Sequence, residues 1–349
     1  MDAPQVVVDL DLDPEHRWDD AIEYIIDTHG WEYSFGTVLS FIYDLVPAPL
    51  LTRLEAKFAE IEKDMVKYGE EIHGIYNKFE ELGYGDQLEE SDLVALNCVV
   101  ELSTFCTSMV AQDSEGNIYH GRNLDFPFPG LQNVTVSASF QRNGVEVYKG
   151  VAFLGYVGLL TGMRQGSFAV SMDMREDPDG LTIPDILEGY LRNGFSYHTD
   201  GDSIGFTIRD ALEESETYPK AIEHLAYTQL VARAYIIVSG TEAGQGAVIT
   251  RERRGVDNSY NREGIWPIDN DAGAWYRVET NYDHWISPPE DDNRIDPANS
   301  MLDAIGQEAV DGAQLFDVLS TPPILQSYTI YTAIMQSSSG SWHVTVREP

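Results

Sequence analysis

The residue pattern predicts an α+β protein in which antiparallel hairpins build the sheets and helices cover them. Three observations carry that prediction. Helical periodicity dominates the first hundred residues, period-two alternation with hairpin turns takes over after Cys106, and a helix-rich middle separates two groups of strands. With 349 residues, 43% of them hydrophobic, the chain can bury a large core.

Taken in order, Val6, Val8, Leu10 and Leu12 alternate and predict a short strand, followed by a helix over residues 18–26. Leu51, Leu54, Phe58, Ile61, Met65 and Tyr68 recur at spacings of three and four, predicting an amphipathic helix packed on the core. Gly83-Tyr84-Gly85-Asp86 breaks the pattern, and Ser91 is the predicted N-cap of a helix carrying Leu93, Leu96 and Val100. From residue 105 the runs 107–112 and 118–124 flank the turn cluster Asp113-Ser114-Glu115-Gly116-Asn117. This predicts a hairpin whose register sets Cys106 opposite residues 123–125. Asn143-Gly144 between alternating apolar runs predicts a second hairpin. Gly155, Gly158 and Gly162 mark bends or close backbone approach, and 168–172 reads as a strand. Helices are predicted from Pro184, around 208–212 and over 218–225. Strands resume at 234–238 and 247–250, and a strand over 275–280 delivers Asn281 to its end. A polar loop over 287–297 holds Arg294, helices are predicted near 301–310 and 313–319, and a hairpin over 328–346 closes the chain.

The formal charge of -36, from 58 acidic against 22 basic residues, argues against nucleic acid as a partner, because nothing is present to neutralise a row of phosphates. It also disfavours an anionic membrane surface. Self-repulsion of this size fits either a salt-rich setting or an acidic compartment. The N-terminal residues show no basic segment followed by an apolar core, so no signal peptide is expected. The window 38–51, with Asp44, Pro47 and Pro49, is not a membrane span. Two cysteines, Cys98 and Cys106, make no disulfide framework; Cys98, inside an apolar run, reads as a small core residue. The eight histidines show no metal-ligand spacing and no phosphate-binding glycine loop occurs, so no metal or cofactor is expected.

Cys106 is different, because the predicted hairpin sets a thiol beside Arg122 and Asp125, charged groups able to govern its ionisation. Arg122 and Asp125 alone would read as a surface ion pair, and Asn281 alone as a turn residue. Their separation of three residues places Arg122 and Asp125 on opposite faces of an ideal strand, so a bulge or the strand end must reconcile them.

Cys106-Thr107-Ser108, His120-Gly121-Arg122-Asn123-Leu124-Asp125, Gly155-Tyr156-Val157-Gly158, Glu279-Thr280-Asn281-Tyr282-Asp283-His284-Trp285 and Asp291-Asp292-Asn293-Arg294 together resemble the acid ceramidase and N-acylethanolamine-hydrolysing acid amidase family. The likeness extends to the N-terminal Asp11-Leu12-Asp13-Pro14-Glu15-His16-Arg17-Trp18. More distantly the chain is similar to penicillin V acylase and conjugated bile salt hydrolase. The resemblance implies an N-terminal-nucleophile αββα sandwich of two antiparallel sheets between helical layers, preceded by a mainly helical segment. It further implies self-cleavage between Phe105 and Cys106 into a helical α chain (1–105) and a catalytic β chain (106–349) that stay associated. Cys106 would attack an N-acyl lipid amide and pass through a thioester, with Arg122 near the thiol and Asp125 holding the new amine. Asn281 would support the oxyanion and Arg294 the site, while Tyr156, Trp285 and the 174–176 segment would meet substrate. One departure stands out. The family glutamate falls here on Met174, and Glu176 lies two residues on.

The leading expectation is therefore a self-processing cysteine amidohydrolase, with transient membrane contact to extract its lipid substrate. The competing readings are a non-catalytic lipid-binding protein on the same scaffold, motivated by Met174, and a penicillin V or bile-salt acylase. The segments around Ile236, Trp266-Pro267 and 281–285 look more like the N-acylethanolamine branch, and Val318-Leu319-Ser320-Thr321 like the ceramide branch, so both leaving amines stay open. Animal relatives are lysosomal, whereas the composition also fits the cytoplasm of a salt-rich organism.

Overall fold

A computed structural model of the chain describes residues 1–50, 52–53, 68–99, 105–175, 201–258 and 264–348. The strands are β1 (Gln5–Asp9), β2 (Phe105–Gln112), β3 (Ile118–Asp125), β4 (Thr135–Arg142), β5 (Val145–Phe153), β6 (Thr161–Arg164) and β7 (Phe168–Met174). They continue as β8 (Ala234–Ser239), β9 (Gly246–Glu252), β10 (Gly255–Val256), β11 (Ile265–Pro267), β12 (Tyr276–Glu279), β13 (Thr329–Gln336) and β14 (Ser341–Val346). A five-stranded sheet runs β12-β2-β3-β13-β14. A nine-stranded sheet runs β1-β4-β5-β6-β7-β8-β9-β10, with β11 on β9.

Both faces of the small sheet are covered, which is why β2 is buried along its whole length after Phe105. Its odd-numbered face puts Met109 and Ala111 into an apolar layer with Leu302, Leu315 and Leu319, from the helices Ile295–Ile305 and Gly312–Leu319. Its even-numbered face looks at the large sheet, where Val110 packs with Tyr235, Ile237 and Val248. Helices Ile204–Glu214 and Tyr218–Tyr227 cover the far side of the large sheet. At Gly162 of β6 an added Cβ would come within 2.3 Å of Leu212 Cδ1, so this glycine is what lets the first of those helices sit down. The layers are thus αββα, the order the resemblance implies.

The N-terminal helices Asp19–His29, Phe35–Leu45, Gly69–Glu81 and Glu90–Val99 gather around Trp31, Phe35, Phe79 and Tyr84, with Trp31 stacked on Tyr84 at 4.6 Å. A buried ion pair ties them to the rest. Glu71 receives Arg209 Nη1 and Nη2 at 2.7 and 2.8 Å, Trp18 Nε1 at 2.7 Å and Arg17 Nη1 at 2.9 Å. Among the described residues no helix is long and apolar enough to cross a membrane.

Four readings are refined. Asn143 and Gly144 both take positive φ, 53° and 70°, the conformation of the predicted two-residue turn. The helix predicted near 301–310 begins at Ile295, because Pro297 falls in its first turn, where the missing N–H breaks no helical bond. Ser91 is the second residue of its helix rather than the cap, and Asp92 Oδ2 instead accepts from Glu89 N–H at 2.8 Å. β1 pairs with β4 in parallel, so the sheets are not built from hairpins alone. The predicted helix over 51–68 falls mainly, and the helix from Pro184 and Glu176 wholly, outside the described residues.

Candidate active site

The β2–β3 hairpin delivers the site. Its pairing runs without interruption from Gln112↔Ile118 to Phe105↔Asp125 and sets Cys106 opposite Leu124, within the predicted window. Cys106 is the first fully buried residue of β2, and Phe105 before it is 36% exposed, its ring 6.3 Å from that of Tyr328.

Every polar atom of Cys106 is engaged. Its N–H donates to Asn281 Oδ1 at 2.7 Å, its carbonyl accepts from Arg294 Nη1 at 2.5 Å, and its Sγ lies 2.9 Å from Arg122 Nη2. Strand alternation explains the division of labour. Cys106, Ser108 and Arg122 face the large sheet, while Thr107 and Asp125 face the opposite way. Arg122 and Asp125 therefore stay on opposite faces of β3, as their spacing requires. Asp125 reaches the site through its pairing with Phe105 at the strand end, and the irregularity lies across from it, between Thr329 and Tyr331 of β13.

Arg294 joins the two sides. At the N-terminus of helix Ile295–Ile305, it clasps Asp292 through Nε and Nη2 at 2.7 and 2.8 Å. It also reaches Asn281 Oδ1 at 2.9 Å and Asp125 Oδ2 at 3.5 Å. Asn281, two residues past the end of β12, donates its Nδ2 to the Met174 carbonyl at 2.8 Å. Met174, which stands at the position of the family glutamate, thus contributes a backbone oxygen. Tyr156 is buried against Phe206, in space that Gly158 and Gly205 leave open; an added Cβ would come within 2.4 and 1.7 Å of its hydroxyl. Trp285 is half-buried, its ring edge-on to His284 at 4.7 Å and under the Arg175 guanidinium at 5.5 Å.

Burial sets the ionisation. It pushes the Cys106 thiol up to about 11, with Arg122 pulling down and Asp173 and Asp125 pushing up. Burial likewise raises Asp125 to about 6, against the Thr329 hydroxyl and Arg294, which favour its charged form. In the intact chain the thiol is therefore held mostly protonated. Among the described residues no group of His, Cys, Asp or Glu is placed to hold a metal ion.

Sequence reasoning missed several partners. Thr329 Oγ1 donates to Asp125 at 2.6 Å, Tyr331 OH accepts from Arg122 at 3.1 Å, and Ser108 Oγ donates to Asp173 at 2.6 Å. Ser108 and Asp173 lie inside or beside quoted motifs, and strand parity would have pointed both inward; Thr329 and Tyr331 come from the far end of the chain and carry no local signal.

Comparison with known proteins identifies the family. The linear amide C–N hydrolases, choloylglycine hydrolase family, match residues 106–310, a stretch that begins at Cys106. The N-acylethanolamine-hydrolyzing acid amidase of Oryctolagus cuniculus is 37% identical over 350 residues, covering 99% of this chain and 90% of that protein. Acid ceramidase of Bos taurus is 32% identical over 362 residues, covering 99% and 86%. Among solved structures, a Caenorhabditis elegans N-acylethanolamine-hydrolyzing acid amidase ortholog matches with a TM-score of 0.60 at 34% identity, over 70% of this chain and 100% of that one.

Proposed function

Because the chain belongs to the choloylglycine hydrolase family of linear amide C–N hydrolases, we propose that it is a self-processing cysteine amidohydrolase releasing fatty acid from N-acyl lipid amides. The observation that carries this reading is the threefold grip on Cys106, with its nitrogen, carbonyl and sulfur each held by a different side chain at the start of β2.

In the first reaction Cys106 Sγ adds to the Phe105 carbonyl and the bond to the Cys106 nitrogen breaks. That nitrogen takes up a proton and becomes an α-amine. Water then hydrolyses the Phe105 thioester, leaving a carboxylate on residue 105, a free thiol on residue 106, and two chains, 1–105 and 106–349. The buried Glu71–Arg209 pair and the β1–β4 pairing would hold them together.

In the second reaction the α-amine, which titrates near about 7.7–8.0 when unperturbed, takes the thiol proton. The thiolate adds to the substrate carbonyl, the amine departs with that proton, and water releases the fatty acid from the thioester. Arg122 at the sulfur and the Asn281 amide suit the charge that develops on the way, and Asp125, paired opposite residue 105, would hold the new amine. The greater identity to the ethanolamine-releasing relative, 37% against 32%, favours N-acylethanolamines over ceramides.

Intact-mass measurement of the purified protein should find a fragment beginning at Cys106, and Cys106→Ala should stay whole and inactive. Assays with an N-acylethanolamine, a ceramide of the same acyl chain, penicillin V and a conjugated bile salt should give fatty acid fastest from the first. A wild type that is active while uncleaved would overturn the mechanism.

A further inference from the structure

Arg122 is fully buried, and among the described residues no carboxylate touches it. Its Nη1 serves the Leu160 carbonyl, the Thr161 hydroxyl and Tyr331 OH; its Nη2 serves the Met172 carbonyl and Cys106 Sγ; its Nε has no partner. A buried cation needs a compensating negative charge nearby. Of the groups that hydrogen-bond it directly, the thiol is the most acidic.

Across the layer, on β7, stands Asp173. It too is fully buried, with Oδ1 bonded to Ser108 Oγ at 2.6 Å and Oδ2 without a partner. Ser108 is directly opposite Arg122 in the hairpin, so the carboxylate and the guanidinium flank one hydroxyl. Behind Ser108 runs a buried chain. Ser171 Oγ lies 2.9 Å from Ser108 Oγ, His120 Nε2 lies 2.8 Å from Ser171 Oγ, and His120 Nδ1 lies 3.1 Å from Ser239 Oγ. Burial and Arg122 push His120 down to about 3, so its ring is neutral, with one donor and one acceptor nitrogen. Each hydroxyl can also reverse. The whole chain can therefore point toward a charged Asp173 or away from a protonated one, keeping its hydrogen bonds in both states.

We propose that Asp173 is a positioning residue that shares with Cys106 the single negative charge compensating Arg122, and so governs thiol ionisation through that arginine. When the thiol loses its proton, Asp173 carries one, and the net charge of the trio is unchanged. This matters most before self-cleavage, when the Cys106 nitrogen is an amide and no α-amine exists to act as base. The inference rests on the proposed role of Cys106 as nucleophile.

The other charged groups around Asp173 are answered on their own sides. On β12, Glu279 accepts from Thr280 N–H at 3.0 Å and meets His284 Nδ1 at 2.7 Å. On β8, Tyr235 binds Asp283, and Arg294 is clasped by Asp292. On β13, Tyr331 shares its hydroxyl with Thr161 at 2.7 Å. Burial raises Asp173 to about 8, so near neutral pH it can take up or give up a proton, which an ordinary carboxyl there would not.

The test is a titration of the Cys106 thiolate by its ultraviolet absorbance, as the difference between Cys98→Ser and Cys98→Ser/Cys106→Ala proteins, read without substrate on precursor that intact-mass measurement shows to be uncleaved. Asp173→Asn removes the competing charge and should lower the apparent thiol pKa by about one unit, a roughly tenfold gain in thiolate at a pH below it. Ser108→Ala, which weakens the charged form of Asp173, should shift it the same way by less. Asp173→Glu disturbs packing as much but keeps the charge, and should titrate close to wild type. An unmoved or raised value in Asp173→Asn, or equal shifts in Asn and Glu, would overturn the proposal. An inactive enzyme with the expected titrations would instead count against the amidohydrolase reading alone.

Discussion

On the helix side of β2, Arg294 is gripped by both oxygens of Asp292 and approached by Asp125. On the sheet side, Arg122 is held by carbonyls, hydroxyls and one thiol. Both guanidinium groups are buried at 1% exposure or less, so burial does not distinguish them. What differs is where their charge is answered. Arg294 has its counter-ions built in and acts as a rigid brace on the Cys106 carbonyl. Arg122 is left with an unsatisfied demand for negative charge, and that demand falls on the nucleophile.

This contrast can be broken by substitution. Arg294→Met leaves Asp125 and Asp292 without their cation and should cost about 3–5 kcal/mol, seen in denaturant unfolding. A third buried arginine, Arg209, resembles Arg294 in having a dedicated carboxylate, so Glu71→Gln should cost about 1–3 kcal/mol by weakening charge-assisted bonds. Burial alone would raise Glu71, but Arg209 with the bonds from Trp18 and Arg17 holds it below its usual value. Its stabilisation is therefore complete above the unfolded carboxyl range, near about 4.3, and is lost as pH falls through the lower folded value. The acid limb of the stability curve should flatten in Glu71→Gln. Arg122→Met should cost least in unfolding, about 1–2 kcal/mol, because without the cation Asp173 and the thiol can both hold protons and only neutral acceptors are stranded. It should nonetheless lower amide hydrolysis by at least about a hundredfold. A loss of stability in Arg122→Met as large as in Arg294→Met would erase the distinction between brace and charge donor.

Much of the site was legible because it is local. The turn cluster 113–117 and the two flanking runs determine the β2–β3 register, and through it the meeting of Cys106 with Arg122. Asn143-Gly144 was readable for the same reason, since both residues tolerate positive φ. What escaped depends on contacts between distant segments. Pro297 reads from sequence as the body of a loop, because its place in a first turn shows only once Arg294 is anchored by Cys106 and Asp292. The pairing of Asp125 with Thr329, 204 residues on, has no sequence periodicity to announce it. Asp173 carries no motif signal, since the family motif falls on its neighbour Met174. The side chain that points between the sheets is that of Asp173.

The residues ahead of β1 also meet the last strand: Met1 N donates to the Val346 carbonyl at 2.9 Å, and Asp2 bridges to Thr345. A short peptide joining these ends would leave the architecture intact, and the chain could then be opened between residues 105 and 106. Such a circular permutant, once its initiator methionine is removed, would carry Cys106 as its natural first residue without having cut itself. If it hydrolyses amides at the rate of the processed protein, cleavage serves only to unveil an amine. If it folds but stays idle, the cut must also release the 105-residue arm from a position that obstructs the thiol.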